Sequence, residues 1–393
     1  MREFVAERVK NMPPSGIRKF FDVAATLPDV VSLGVGEPDF KTSERIREAA
    51  IQTLKEGKTR YTANRGLIEL RRALSDYMNR RIGVTYDPET QIVVTAGASE
   101  GIDISMRVLC NPGDEILIPE PSYVSYRPAV LMAGGVPVGI TTKVENEFRL
   151  TPEELEAAIT PKTKAILLPY PTNPTGAIME KEDLEAIAPI LIKHDLMVIS
   201  DEVYAELTYG GKAHYSIASV PGMAERTVVL NGFSKGFAMT GWRLGFACGP
   251  EFFMEQFNKM HTFVIMSAPT TSQWAAVEAL RDPELYDAEI ATMRAAYDER
   301  RKYLVREFNR LGMTCFEPKG AFYAFPCIKQ TGMTSEEFCT RLMYEERVAL
   351  VPGNGFGESG EGFVRVSYAY SMKELEFCIS KLEVFLKKLG CLK

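Results

Sequence analysis

The chain has 393 residues, 46% hydrophobic and 25% charged, which suits a globular protein of two domains. A formal charge of −6 with no stretch that concentrates lysine and arginine argues against nucleic acid as a partner, while small anionic substrates remain open if positive charge is gathered locally. Seven scattered cysteines without a Cys-x-x-Cys pair and only three histidines speak against a disulfide framework and against a metal site, and no signal-peptide core or membrane-length apolar run stands out, so a cytoplasmic location is expected.

Residues 1–10 mix charges with isolated apolar side chains and read as a helical arm. Pro13-Pro14-Ser15-Gly16 breaks it, and apolar spacing over 17–24 restarts a helix. Gly34-Val35-Gly36-Glu37-Pro38-Asp39 follows. A dinucleotide fingerprint fails here because Asp39 stands where the third glycine belongs. Gly36 lacks a Cβ, which suits close approach of the backbone to a ligand and equally a plain turn. Helices are predicted over 44–56 and 67–80, joined by a loop in which Tyr61 reads as an ordinary loop aromatic.

Beyond residue 91, short apolar runs at 92–95, 115–119, 165–168, 196–200, 227–230 and 244–248 alternate with helical stretches. Continuous runs mark strands covered on both faces, so the fold class is α/β with a doubly wound, mostly parallel sheet. Ligands in such sheets sit at the carboxyl ends of the strands. The first run ends in Ala96-Gly97-Ala98-Ser99 and opens a helix, whose amides either bind an anion or are simply capped. Tyr123 and Tyr126 follow the second run, and Tyr126 reads as packing. Asn173 follows the third in a proline-stiffened loop.

The fourth run ends in Asp201-Glu202-Val203-Tyr204, and the fifth leads to Lys235 among small and apolar residues. Such a lysine is either a loop lysine or an amine kept neutral by its surroundings and able to attack a carbonyl. Asp201, Lys235 and Arg243 at neighbouring strand ends are the parts needed for pyridoxal phosphate. A lysine holds the aldehyde as a Schiff base, a carboxylate keeps the pyridine nitrogen protonated, and a guanidinium forks onto the phosphate. Long helical patterns then run from 251 to about 311 with a break near Arg281-Asp282-Pro283. The tail differs in character, with the stretches 320–325 and 350–353, a third at 362–368 that reads as a strand around Arg365, and a final helix. Alternation in the last of these puts Arg365 on the face opposite Val364 and Val366, either at a solvated edge or in a cleft. Residues 44–290 are therefore expected to form a large domain, and 1–43 with 291–393 an N-terminal arm and a smaller α+β domain.

Ser234-Lys235-Gly236-Phe237-Ala238-Met239-Thr240-Gly241-Trp242-Arg243, Asp201-Glu202-Val203-Tyr204, Asn173-Pro174-Thr175-Gly176 and Gly36-Glu37-Pro38-Asp39 together resemble the class I/II aminotransferases. These are fold-type I enzymes dependent on pyridoxal 5'-phosphate, and the likeness is nearest to the aromatic, acyl-diaminopimelate and aspartate aminotransferase-like branch. The resemblance implies that Lys235 is the Schiff-base lysine and proton carrier, that Asp201 faces the pyridine nitrogen, and that Tyr204 and Asn173 bond the phenolic oxygen. It implies a phosphate cup made of Gly97, Ala98, Ser99, Ser234, Arg243 and Tyr61 of a second subunit, with Tyr123 stacked on the ring. It also implies a substrate carboxylate held by Arg365, Asn173 and Gly36, and hence a homodimer with shared sites.

The expected reaction moves an amino group between an aromatic or broad-range L-amino acid, with acyl-diaminopimelate and aspartate also open, and a 2-oxo acid such as 2-oxoglutarate. Aspartate-specific branches often carry a lysine where Ser99 stands, which weighs against a strict aspartate preference. A C–S β-lyase or an aminocyclopropane-carboxylate-type synthase would keep the same residues. A non-enzymatic regulator of this fold would need a DNA-binding module, and no helix-turn-helix or basic segment precedes the sheet.

Overall fold

The computed structural model describes residues 2–12 and 26–392. The helix expected over 17–24 lies outside the described residues; at the N-terminus Glu7–Lys10 is helical. In chain order the strands are β1 (Val31–Ser32), β2 (Ile92–Thr95), β3 (Glu115–Glu120), β4 (Val136–Thr141), β5 (Thr163–Leu168), β6 (Met197–Asp201), β7 (Thr227–Gly232), β8 (Gly245–Cys248), β9 (Tyr323–Ala324), β10 (Val348–Ala349), β11 (Val351–Pro352) and β12 (Val364–Ser367).

Seven of them form one sheet in the order β2-β8-β7-β6-β5-β3-β4, parallel except for β8, which runs antiparallel to both neighbours. All six predicted runs are strands of this sheet. Side-chain alternation sorts them onto two cores. Val93, Ile118, Ile199, Val228 and Leu230 enter one cluster, while Ile92, Val94 and Val229, with Leu117 and Val198, face clusters on the other side. Edge strand β4 was not expected. It pairs only with β3, and its Val-Pro-Val-Gly sequence is half exposed, so no continuous apolar run marks it.

The helices expected near 44–56 and 67–80 are Glu44–Lys55 and Ile68–Ile82. The stretch from 251 contains three helices rather than two: Glu251–Val264, Thr270–Leu280 and Pro283–Arg310. The extra break precedes Pro269, whose ring disfavours helical geometry in the residue before it.

A further cluster gathers Leu33, Phe338, Val348, Val364 and Val366 with the last helix, Met372–Lys388. Here β11-β12-β9 form an antiparallel sheet, and β1 pairs in parallel with β10, tying the N-terminal segment to the tail. Helix Pro283–Arg310 gives Tyr286 and Ile290 to a cluster on the large sheet and Met293, Tyr297, Leu304 and Phe308 to the tail cluster. Among the described residues no helix is long and apolar enough to cross a membrane.

Candidate active site

A cavity of about 500 Å³ opens at the carboxyl ends of the parallel strands, where the loops after β2, β3, β5, β6 and β7 meet Gly34–Glu37, Tyr323 and the β12 arginine. Its wall contains Gly36, Ala98, Ser99, Tyr123, Asn173, Asp201, Tyr204, Ser234, Lys235, Arg243 and Arg365, residues from distant parts of the chain that the sequence had singled out.

Lys235 follows β7 and donates from Nζ to the Gly36 carbonyl at 2.6 Å. Burial disfavours its ammonium, and with Arg365 and Arg243 nearby the pKa falls to about 8, although Glu37 and Asp201 oppose the shift. Asp201 ends β6, and burial pushes its carboxyl up to about 6 despite hydrogen bonds that favour the anion. Those bonds come from the Tyr126 hydroxyl to Oδ2 at 2.8 Å and from the Val203 N–H to Oδ1 at 3.2 Å. Tyr126 does pack against Tyr123, with ring centroids 5.4 Å apart, but it is also a partner of the buried acid. Packing alone was the sequence reading, because nothing local indicates that its hydroxyl reaches a residue on another strand.

The Tyr204 and Tyr323 hydroxyls lie 2.9 Å apart, and burial raises the pKa of both phenols. Tyr323 is not singled out by the sequence, where Gly320–Phe325 reads only as part of the tail. Its hydroxyl stands where a Cβ at position 36 would be, which explains the glycine there. Arg365 is buried, donates from Nη1 to Asn173 Oδ1 at 2.8 Å and from Nη2 to the Gly34 carbonyl, and is flanked by the rings of Tyr323 and Phe356 at 4.6 and 4.8 Å. Its Nε has no hydrogen-bond partner among the described residues. A guanidinium flanked by two rings on the cavity wall suits an incoming carboxylate.

The helix Ala98–Leu109 starts at Gly97, whose φ of 81° favours glycine, and no N-cap side chain bonds its first amides. A Cβ on Gly97 would lie 2.8 Å from Arg243 Nη2, so the glycine lets the guanidinium close on the helix start. Gly97 itself is not part of the cavity wall, but it shapes the wall that Ala98 and Ser99 provide. Open amides, the Ser99 hydroxyl and Arg243 make a pocket for an anion of phosphate size. Tyr61 is not part of this wall and is 80% exposed.

The residues therefore fit pyridoxal phosphate: an amine with a lowered pKa, a buried acid that a cationic ring nitrogen would stabilise, and an anion cup at the opposite end. Residues 28–382 match the family model described as aminotransferase class I and II. Over 98% of each chain, the sequence is 45% identical to an aromatic-amino-acid aminotransferase of Thermococcus litoralis. It is 46% identical to an aspartate aminotransferase of Pyrococcus abyssi, again over 98% of each chain. A solved aromatic aminotransferase from Pyrococcus horikoshii superposes with a TM-score of 0.91 at 45% identity, covering 95% of this chain and 100% of that one.

Proposed function

The chain belongs to the class I and II aminotransferases, and from that premise we propose that its cavity holds pyridoxal 5'-phosphate and transaminates aromatic or broad-range L-amino acids with 2-oxoglutarate. The observation that carries the reading is the placement of Lys235 and Asp201 in one cavity with their pKa values moved toward each other, to about 8 and about 6. When bound, the cofactor supplies a carbonyl for the amine and a ring that accepts electrons from the substrate.

Each side chain then has a task. Lys235 Nζ, partly neutral near its pKa of about 8, holds the cofactor and carries the proton removed from the substrate Cα. The Asp201 carboxylate, fixed by Tyr126, keeps a ring nitrogen protonated. Tyr204 donates toward the phenolic oxygen, supported by Tyr323, and Asn173 serves both that oxygen and Arg365. Tyr123 covers the ring. Ala98, Ser99, Ser234 and Arg243 take the phosphate, and Gly97 gives them room. Arg365 binds the substrate carboxylate in its plane, with Gly36 presenting backbone. Tyr123, Tyr323 and Phe356 also line the cavity and offer aromatic surface to an aromatic donor.

A homodimer with shared sites follows from the same reading. Tyr61 is exposed and lies outside its own cavity wall, and its loop is tied by Thr270 Oγ1 to the Arg60 carbonyl and by Asn64 Nδ2 to the Met266 carbonyl. The adjoining Phe263, Val264, Ile265 and Met266 are exposed apolar residues that a second copy would cover. We read 44–290 as the cofactor-binding unit and 1–43 with 291–393 as the smaller one, because helix Pro283–Arg310 changes core near residue 290. An amino-donor panel against 2-oxoglutarate tests the substrate reading. Phenylalanine, tyrosine or acyl-diaminopimelate should be used at least as well as aspartate, and a large aspartate preference would defeat it.

A further inference from the structure

Glu100, largely buried, and His261, fully buried, form a pair behind the anion cup that has no part in the chemistry described so far. Glu100 lies in the first turn of helix Ala98–Leu109 and is directed away from the cavity wall formed by Ala98 and Ser99. One carboxylate oxygen, Oε2, accepts from the Ala96 N–H, and the other, Oε1, lies 2.8 Å from His261 Nδ1. His261, on helix Glu251–Val264, is fully buried, and its Nε2 has no hydrogen-bond partner among the described residues. Burying an acid and an imidazole together costs desolvation that an apolar pair of the same size would avoid. A local function would account for retaining them.

The position of the pair indicates that function. An anion in the first turn of a helix is attracted to the same amides that a phosphate uses, and it repels the phosphate as well. At this helix the carboxylate is held by two partners, one on the preceding loop and one on a neighbouring helix. Both of its oxygens are thereby engaged, and the Ala98 and Ser99 end stays free. We propose that His261 is a positioning residue for the phosphate cup: by holding the Glu100 carboxylate on the Ala96 amide, it sets how tightly the phosphate group is bound. The inference rests on the reading of the cavity as a pyridoxal phosphate site.

The test compares equilibrium binding of pyridoxal 5'-phosphate and of pyridoxal, which lacks the phosphate, to the cofactor-free full-length protein. Wild type should strongly prefer the phosphate ester; lack of preference before any substitution would remove the underlying cofactor reading itself. In His261→Leu the preference should fall about tenfold, while pyridoxal binding stays within about twofold. His261→Asn, whose amide N–H can replace Nδ1–H, should keep it. Adding Glu100→Gln to His261→Leu should restore the preference, because the loose charge is gone. Should His261→Leu fail to fold, His261→Gln, which does not present a donor at the Nδ1 position, is expected to show the same selective loss. An equal loss for both ligands would make His261 a structural residue only, and an unchanged preference would leave it without a role; either overturns the proposal.

Discussion

Replacing Asp201 with asparagine should make the cofactor-free protein more stable while crippling it as an enzyme. The carboxyl is raised from its usual 3.8 to about 6, chiefly by burial. At 1.36 kcal/mol per pKa unit, the ionised carboxylate therefore costs the folded state about 3 kcal/mol at neutral pH. The sign follows from proton uptake: between 3.8 and about 6 the folded state holds more protons than the unfolded one, so stability falls as pH rises through that window. The cost is absent below about pH 3, about a fifth of its full size at pH 4, near half at pH 5 and complete above about pH 7. Asparagine fills the same volume without the charge and can still accept from the Val203 N–H. Urea unfolding of the two proteins at pH 8, 5 and 4, at one protein concentration because association also stabilises, should show the variant ahead by up to about 3 kcal/mol at pH 8, with the gap closing toward acid. A variant less stable at pH 8, or a gap independent of pH, would refute the reasoning.

Removing the hydroxyl in Tyr126→Phe leaves the acid one donor short. This should lower kcat/KM by roughly tenfold and move the acid limb of the pH–rate profile upward; an unmoved limb would count against the link between Tyr126 and Asp201. Arg365→Lys replaces a planar fork by a point charge, so KM for the amino acid should rise on the order of a hundredfold with a smaller change in kcat, measured by initial rates. Tyr61→Ala and Lys235→Ala proteins, each impaired alone, should recover about a quarter of native activity when their subunits are exchanged, since half the dimers would then carry one complete site. No recovery on mixing would place Tyr61 outside the partner's site.

Much of this architecture is legible in the sequence because its central strands are covered on both faces and so appear as uninterrupted apolar runs; Val228-Val229-Leu230 sends alternate side chains into opposite cores. Half-exposed β4 carries no such mark, and the direction of β8 is not encoded by composition at all. Motif residues of the cavity could be named because they adjoin strand ends. Their supports were hidden for a physical reason, which is that each acts across a long separation in the chain. Tyr126 is 75 residues from Asp201, Tyr204 is 119 from Tyr323, and Glu100 is 161 from His261. No local pattern distinguishes such a side chain from ordinary packing.

The most direct measurement is where the cofactor attaches. Protein incubated with pyridoxal 5'-phosphate, reduced with borohydride, digested and read by mass spectrometry should carry one pyridoxyl group per chain, on the peptide containing Lys235, and Lys235→Ala protein should carry none and lack transaminase activity. Label on other lysines in place of Lys235, or a Lys235→Ala protein that still transaminates at the native rate, would contradict the account.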